Sequence, residues 1–194
     1  MALLRSRVTP EQSARAGRSA TAALVASSEF DAAQSLALFA SMPDEISTRS
    51  LYELAIAAGK RCMFPRCLAQ GGLEFAVVTA WEELEPQRFG VREPAPGLAA
   101  ESLAPSDLMV VPGVAFDSGG RRLGRGRGYY DRFFDSLERP IPILFGFAFA
   151  FQLVPRVPVE DHDHLLDGVV TEDGLHRALE GPGPPGRQKS RDAF

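Results

Sequence analysis

Residues 107–134, DLMVVPGVAFDSGGRRLGRGRGYYDRFF, concentrate residue types that bind anions. Gly124, Gly126 and Gly128 alternate with Arg125 and Arg127, and Arg121, Arg122 and Arg132 stand close by. Glycine lets the main chain approach a ligand closely. Consecutive N–H groups at the start of a helix favour an anion, and here a helix is predicted to open at Tyr129. Arginine adds bidentate donors suited to phosphate or carboxylate. No Gly-Lys-Ser/Thr closes the loop, so it is not a Walker A motif, and glycines at every second position exclude the dinucleotide fingerprint. The residues alone favour an anion loop over two rivals. One is a tight turn with a solvated basic rim. The other is an RNA-binding arginine–glycine segment, disfavoured because a single copy is framed by a strand and a helix.

Further candidates are carboxylates. Glu160-Asp161-His162-Asp163-His164 reads either as a metal site or as a solvated acidic loop. Magnesium prefers one or two carboxylates together with phosphate oxygens, which suits Asp131 with Asp163 around a nucleotide. Glu45 follows a strand and reads as a cap for the next helix or as an acceptor for a polar heterocycle, the cap being favoured. Tyr129 and Tyr130 would stack on a ligand or pack beneath the loop, at least one of them packing. Phe145, Phe147, Phe149 and Phe151 read as core, and His176 as surface. Cys62 and Cys67 lack zinc-spacing partners and cannot build a disulfide framework, so they read as reduced thiols.

Elements must carry these groups. The length of 194 residues suits one domain, set at residues 1–180, and 45% hydrophobic residues can build a substantial core. A net charge of −4 argues against a general polyanion binder, so any basic site is local. Residues 1–28 have the composition of a transit peptide. However, Thr9-Pro10-Glu11-Gln12 predicts a helix start, with Thr9 at the N-cap and Gln12 closing a capping box. That helix runs to about Ser27. Strands are predicted at Ser35–Ala40, Arg61–Phe64 (halted by Pro65), Leu73–Val78, Leu108–Val111, Ile141–Phe147 and Asp167–Thr171, the last one. Helices are predicted near Thr48–Ala58, at Trp81–Leu84 as a short turn, and at Tyr129–Leu137. Residues 86–106 read as a long surface loop, 148–154 as ambiguous, and 181–194 as a disordered tail. Strands alternating with helices imply a three-layer α/β/α fold around a mostly parallel sheet, Rossmann-like. Ligands then bind beyond the carboxyl ends of the strands, where loops 41–45 and 112–128 would both lie.

With these motifs in place, the chain resembles the 5-formyltetrahydrofolate cyclo-ligase family. The chief match is PGVAFDSGGRRLGRGRGYYDRFF, at Pro112–Phe134. FASMPDEIST (Phe39–Thr48), GKRCMFPR, FGVREP (Phe89–Pro94) and VPVEDHDHLLDGVVTEDG (Val157–Gly174) support it, and the whole spans residues 8–175. The resemblance implies cyclisation of 5-formyltetrahydrofolate to 5,10-methenyltetrahydrofolate, with Mg2+ as cofactor, ATP as co-substrate, and ADP and phosphate released. It implies ATP binding by Arg122, Leu123, Gly124, Arg125, Gly126, Arg127, Gly128, Tyr129 and Tyr130. Glu45, Arg125, Gly126, Arg127, Gly128 and Tyr129 would bind the folate. Arg125, Arg127 and Tyr129 would serve catalysis, and Asp131 and Asp163 would organise magnesium. It therefore shifts the reading of Glu45 from cap to pterin ligand. Family members carry an N-terminal Lys-x-x-x-Arg segment reaching the ATP phosphates. No lysine precedes Lys60 here, so weakened ATP binding is expected unless Arg5 or Arg7 substitutes. A cytoplasmic monomer is expected, with no nucleic-acid or membrane partner. The rivals are a diverged paralogue and a nucleotide- or folate-binding protein without turnover.

Overall fold

The computed structural model describes residues 1–69, 71–87, 90–138, 140–158 and 163–179. The 181–194 tail and residues 160–162 of the acidic cluster lie outside these, as does Phe89.

The first predicted helix is present as α2 (Pro10–Val25), preceded by a short α1 (Ala2–Arg5). Its start follows the sequence signal. Thr9 Oγ1 accepts the Gln12 N–H at 3.2 Å, and Gln12 Oε1 accepts the Thr9 N–H at 2.9 Å. Ala20 and Leu24 are buried, so this segment belongs to the core. A second unforeseen short helix, α3 (Ser28–Ala32), leads into β1 (Ser35–Ala37). Then come α4 (Arg49–Ala57), β2 (Arg61–Cys67), β3 (Leu73–Val77), β4 (Leu84–Pro86), β5 (Arg92–Pro94), β6 (Ala100–Glu101) and β7 (Leu108–Val111). The chain continues through β8 (Ala115–Phe116), β9 (Arg122–Leu123), α5 (Tyr129–Ser136), β10 (Ile143–Phe147), β11 (Gly168–Thr171) and β12 (Gly174–Arg177).

Eight strands form one sheet in the order β12-β11-β10-β7-β1-β2-β3-β6. The five central strands, β11 to β2, are parallel, whereas β12 pairs antiparallel with β11, β3 with β2, and β6 with β3. Side chains alternate across it with the two-residue period of a strand. Leu36, Leu38, Cys62, Phe64, Leu108, Val110, Phe145 and Val170 share a core with α2 and α4. Ala37, Met63, Met109, Val111, Leu144 and Val169 share the opposite core with Phe134 of α5. Helices thus cover both faces, which is the three-layer architecture expected.

Three local predictions need correction. Pro65 does not halt β2. The pairing of β2 with β1 ends at Met63, so Pro65 faces β3 alone and its missing N–H breaks no ladder bond with β1. Residues 86–106 are not one loop. They carry β5, paired with β4, and β6 on the sheet edge; strands this short, with charged or proline residues, have no readable alternation. Asp167–Thr171 is not the last strand, because β12 returns antiparallel beside β11.

Candidate active site

After β1 the chain turns to β2 on one side, while β7 lies on the other. This reversal makes the β1/β7 boundary a topological switch point, where open α/β sheets leave a crevice for ligands. The loops beyond the two strands meet there.

The first loop is built by its own polar groups. Ser41 Oγ accepts the Thr48 N–H at 2.9 Å and donates to the Ile46 carbonyl at 2.7 Å. Thr48 Oγ1 donates to the Phe39 carbonyl at 2.6 Å. With Ser41 and Thr48 organising the entry to α4, Glu45 is not its cap. Glu45 is instead buried at 8% exposure, and a buried carboxylate requires partners. Its Oε2 accepts the Met42 N–H at 3.0 Å. Its Oε1 lies 3.1 Å from Arg125 Nη2 and 3.4 Å from Arg5 Nη2. Asp44 joins the same cluster, 2.9 Å from Arg125 Nη2 and 3.0 Å from Arg5 Nη2. Burial opposes the Arg125 charge, but Glu45 and Asp44 outweigh it and hold the guanidinium more firmly protonated. Arg5, offered by sequence as a phosphate contact, is turned onto these carboxylates and is 3% exposed.

The second loop divides into two parts. Its first part is a hairpin, β8 against β9, closed by Asp117. Asp117 Oδ1 accepts the N–H groups of Gly119 (2.9 Å) and Arg121 (3.1 Å). Its Oδ2 accepts from Val157 N–H (2.9 Å) and Arg121 Nη1 (3.3 Å). Burial raises the cost of its charge, yet these donors together hold its carboxyl below the usual carboxylate range. Arg122 is buried as well. Its Nη2 bonds Asp131 Oδ1 at 2.7 Å, and its guanidinium lies 5.6 Å from the Tyr130 ring centroid. Arg122 and Leu123 are therefore strand residues and not part of the glycine turn. The second part, 124–128, has Gly126 at φ 78° and Gly128 at φ 61°, a left-handed region that other residues resist. Arg125 and Arg127 are exposed here.

Gly128 is the N-cap of α5, which presents Tyr129, Tyr130 and Asp131 in its first turn. Tyr129 lies under Arg132, 5.4 Å from its ring centroid. Tyr130 packs on Phe134, and burial, with the nearby Glu45 charge, pushes its phenol well above the usual range. Burial and Glu93 raise the Cys67 thiol to about 11, a rise that the positive charge of Arg127 partly offsets. Cys62 is in the core, pushed up to about 12 by burial. His164, next to Asp163, bonds Asp135 Oδ1 through Nε2 at 2.7 Å. Asp135 lies one helical turn beyond Asp131, so His164 comes down beside α5. Among the described residues no group of three or more His, Cys, Asp or Glu could hold a metal by itself.

A cavity of about 500 Å³ opens on the other flank of α2, with Leu4, Arg7, Arg15, Phe149, Phe151 and Glu172 among its walls. Arg7 therefore serves this cavity and not the Glu45 cluster. No described helix is long and apolar enough to cross a membrane. Sequence reasoning missed Asp44, the role of Arg5, and Asp117. The only available signal was the Asp44-Glu45 doublet on a loop after a strand.

The geometry offers a buried acceptor carboxylate beside an exposed guanidinium and a glycine-lined helix start. That set can bind an N–H-rich heterocycle and an anion side by side. Comparison with known proteins agrees with this combination. The sequence matches the 5-formyltetrahydrofolate cyclo-ligase family over residues 1–172. It is 34% identical to the 5-formyltetrahydrofolate cyclo-ligase of Escherichia coli K12 over 86% of this chain and 93% of the relative. It is 32% identical to the mouse 5-formyltetrahydrofolate cyclo-ligase over 79% and 80%. The solution structure of Aquifex aeolicus 5,10-methenyltetrahydrofolate synthetase superposes with a TM-score of 0.74 at 28% identity, covering 92% of this chain and 89% of that one.

Proposed function

Because the chain belongs to the 5-formyltetrahydrofolate cyclo-ligase family, an enzyme family, we propose that it closes 5-formyltetrahydrofolate to 5,10-methenyltetrahydrofolate using Mg-ATP. The observation that carries this reading is the meeting of Glu45 and Arg125 at the switch point. Glu45 accepts the pterin ring N–H groups. Arg125 supplies positive charge where the formyl oxygen takes up the γ-phosphoryl. N10 then attacks the activated carbon and phosphate leaves. The phosphoryl step makes chemical sense, because phosphate leaves more readily than an amide oxygen does. The protein's task is positioning and charge stabilisation.

Gly124, Gly126 and Gly128 form the ATP phosphate cradle, and a side chain added at Gly126 would meet nothing within 4 Å, so the approach is open. Arg127 and Tyr129 line the same turn, and Tyr130 serves as the packed floor beneath it. Arg122 holds Asp131 and contributes to nucleotide binding through that carboxylate. The donor set fits magnesium: Asp131 is a carboxylate in the first turn of the helix behind the cradle, and Arg122 orients it through Oδ1, which leaves Oδ2 for a cation. Asp131, with Asp163, would hold the ion, which would neutralise phosphate charge. A reducing, cytoplasmic setting would keep Cys62 and Cys67 as free thiols, and a monomer is proposed as part of the same reading.

The test mixes protein, Mg-ATP and 5-formyltetrahydrofolate and follows the near-UV absorbance of the methenyl product. Product only with ATP and magnesium together supports the reading. Product formed equally without ATP overturns it, and ligand binding without product turns the chain into a binding protein.

A further inference from the structure

Asp44 has no part in the reaction as written, yet it makes the shortest contact with Arg125. Arg125 Nη2 lies 2.9 Å from Asp44 Oδ1, 3.2 Å from Oδ2 and 3.1 Å from Glu45 Oε1. All these contacts use Nη2, so Nη1 and Nε stay available for an incoming phosphoryl group. The Glu45 carboxylate is crowded on one side: Arg125 and Arg5 share Oε1, while Met42 N–H takes one site on Oε2. A heterocycle that donates two N–H groups to Glu45, one to each oxygen, competes for Oε1 with one of the two arginines. Arg5 is 3% exposed on its side chain and Arg125 is 44% exposed, so Arg125 is the one that yields. It sits between Gly124 and Gly126, which restrain it little. Without a second anchor it would leave the reacting end just as the substrate arrives.

We propose that Asp44 is a positioning residue that retains Arg125 at the reacting end while the substrate occupies Glu45. This rests on the functional reading above. Asp44 also touches Arg5, through Oδ2 at 3.0 Å and through its carbonyl, which accepts from Arg5 Nε at 3.1 Å. The competing account is that Asp44 only anchors the α1 segment. In both accounts the carbonyl contact survives side-chain replacement.

The test is a double-mutant cycle on the full chain. Asp44→Asn should lower kcat about tenfold, a loss typical of one mispositioned charged contact, with the KM for ATP no higher. It should cause no further loss in an Arg125→Ala background, but should keep its full effect in an Arg5→Ala background. Asp44→Glu should recover part of the rate. In the absence of substrate, phenylglyoxal modification mapped by peptide mass should proceed faster at Arg125 in Asp44→Asn than in the native chain. Native-like kcat, an equal loss on the Arg125→Ala background, or unchanged modification of Arg125 would each overturn the proposal. Failure of the native chain to form product sinks the functional reading instead, and the modification experiment still decides whether Asp44 holds Arg125.

Discussion

The two parts of the glycine–arginine segment share a composition and differ in what they touch. Arg121 and Arg122, in and beside the hairpin, are each tied to an aspartate, Asp117 and Asp131. Arg125 and Arg127 stand on the glycine turn with exposed side chains, and Arg125 meets Asp44 and Glu45 of the other loop through Nη2 alone. The first part is a foundation whose charges are spent on structure. The second presents charge at the crevice. An arginine's role in this segment is thus set by the carboxylate that folding brings to it, not by its neighbours in sequence.

The comparison can be broken most directly at Arg125. Arg125→Ala should lower kcat by roughly two orders of magnitude, on the order of 3 kcal/mol of transition-state stabilisation. Arg121→Ala should leave kcat nearly unchanged. Steady-state kinetics on both variants decides it, and equal, mild losses would return the loop to a solvated basic rim.

The foundation half should answer in stability instead. Asp117→Ala removes an acceptor for three backbone N–H groups, those of Gly119, Arg121 and Val157. It should cost about 3 kcal/mol in denaturant unfolding. The pH dependence has a defined sign. Because the folded carboxyl is held below its unfolded value, its contribution is present in full above the ordinary carboxylate range and is lost as pH falls through the depressed folded value. The native chain should therefore lose stability in acid more steeply than Asp117→Ala.

Two glycines separate the halves more finely. An alanine at Gly120 would press its Cβ on the Leu166 carbonyl at positive φ, so Gly120→Ala should cost about 2 kcal/mol of stability. At Gly126 the added Cβ meets nothing, leaving only the φ 78° strain, about 1 kcal/mol. Gly126→Ala should fold and lose activity, whereas Gly120→Ala should melt early. Circular dichroism melts beside the absorbance assay distinguish them. The smallest effect is expected at Asp131→Asn, which should raise the magnesium needed for half-maximal rate several-fold. A magnesium titration indistinguishable from native would remove Asp131 from the metal site.

Much of this fold was readable because its signals are local. Thr9-Pro10-Glu11-Gln12 caps its own helix, Leu108–Val111 is an unbroken apolar strand, and the glycines at 126 and 128 mark a turn that needs positive φ. Glu45 and the glycine–arginine turn were legible as two candidate patches. Their common place beyond the strand ends was legible too, but the side-chain pairing was not, since Arg125 and Glu45 are 80 residues apart in the chain, and Arg125 and Asp44 are 81 apart. The same holds for Arg5, whose partners lie 39 and 40 residues away. Sequence alone determined the long helices, the central strands and which side chains can bind anions, because caps, periodicity and backbone freedom act over a few residues; the short edge strands carry no such signal. Only the tertiary structure decided which arginine is tied down within its own segment and which is held, still exposed, against the carboxylates of the other loop. Opposite charges pair where the sheet brings two strand ends together, and that closure joins residues with no local signal of each other.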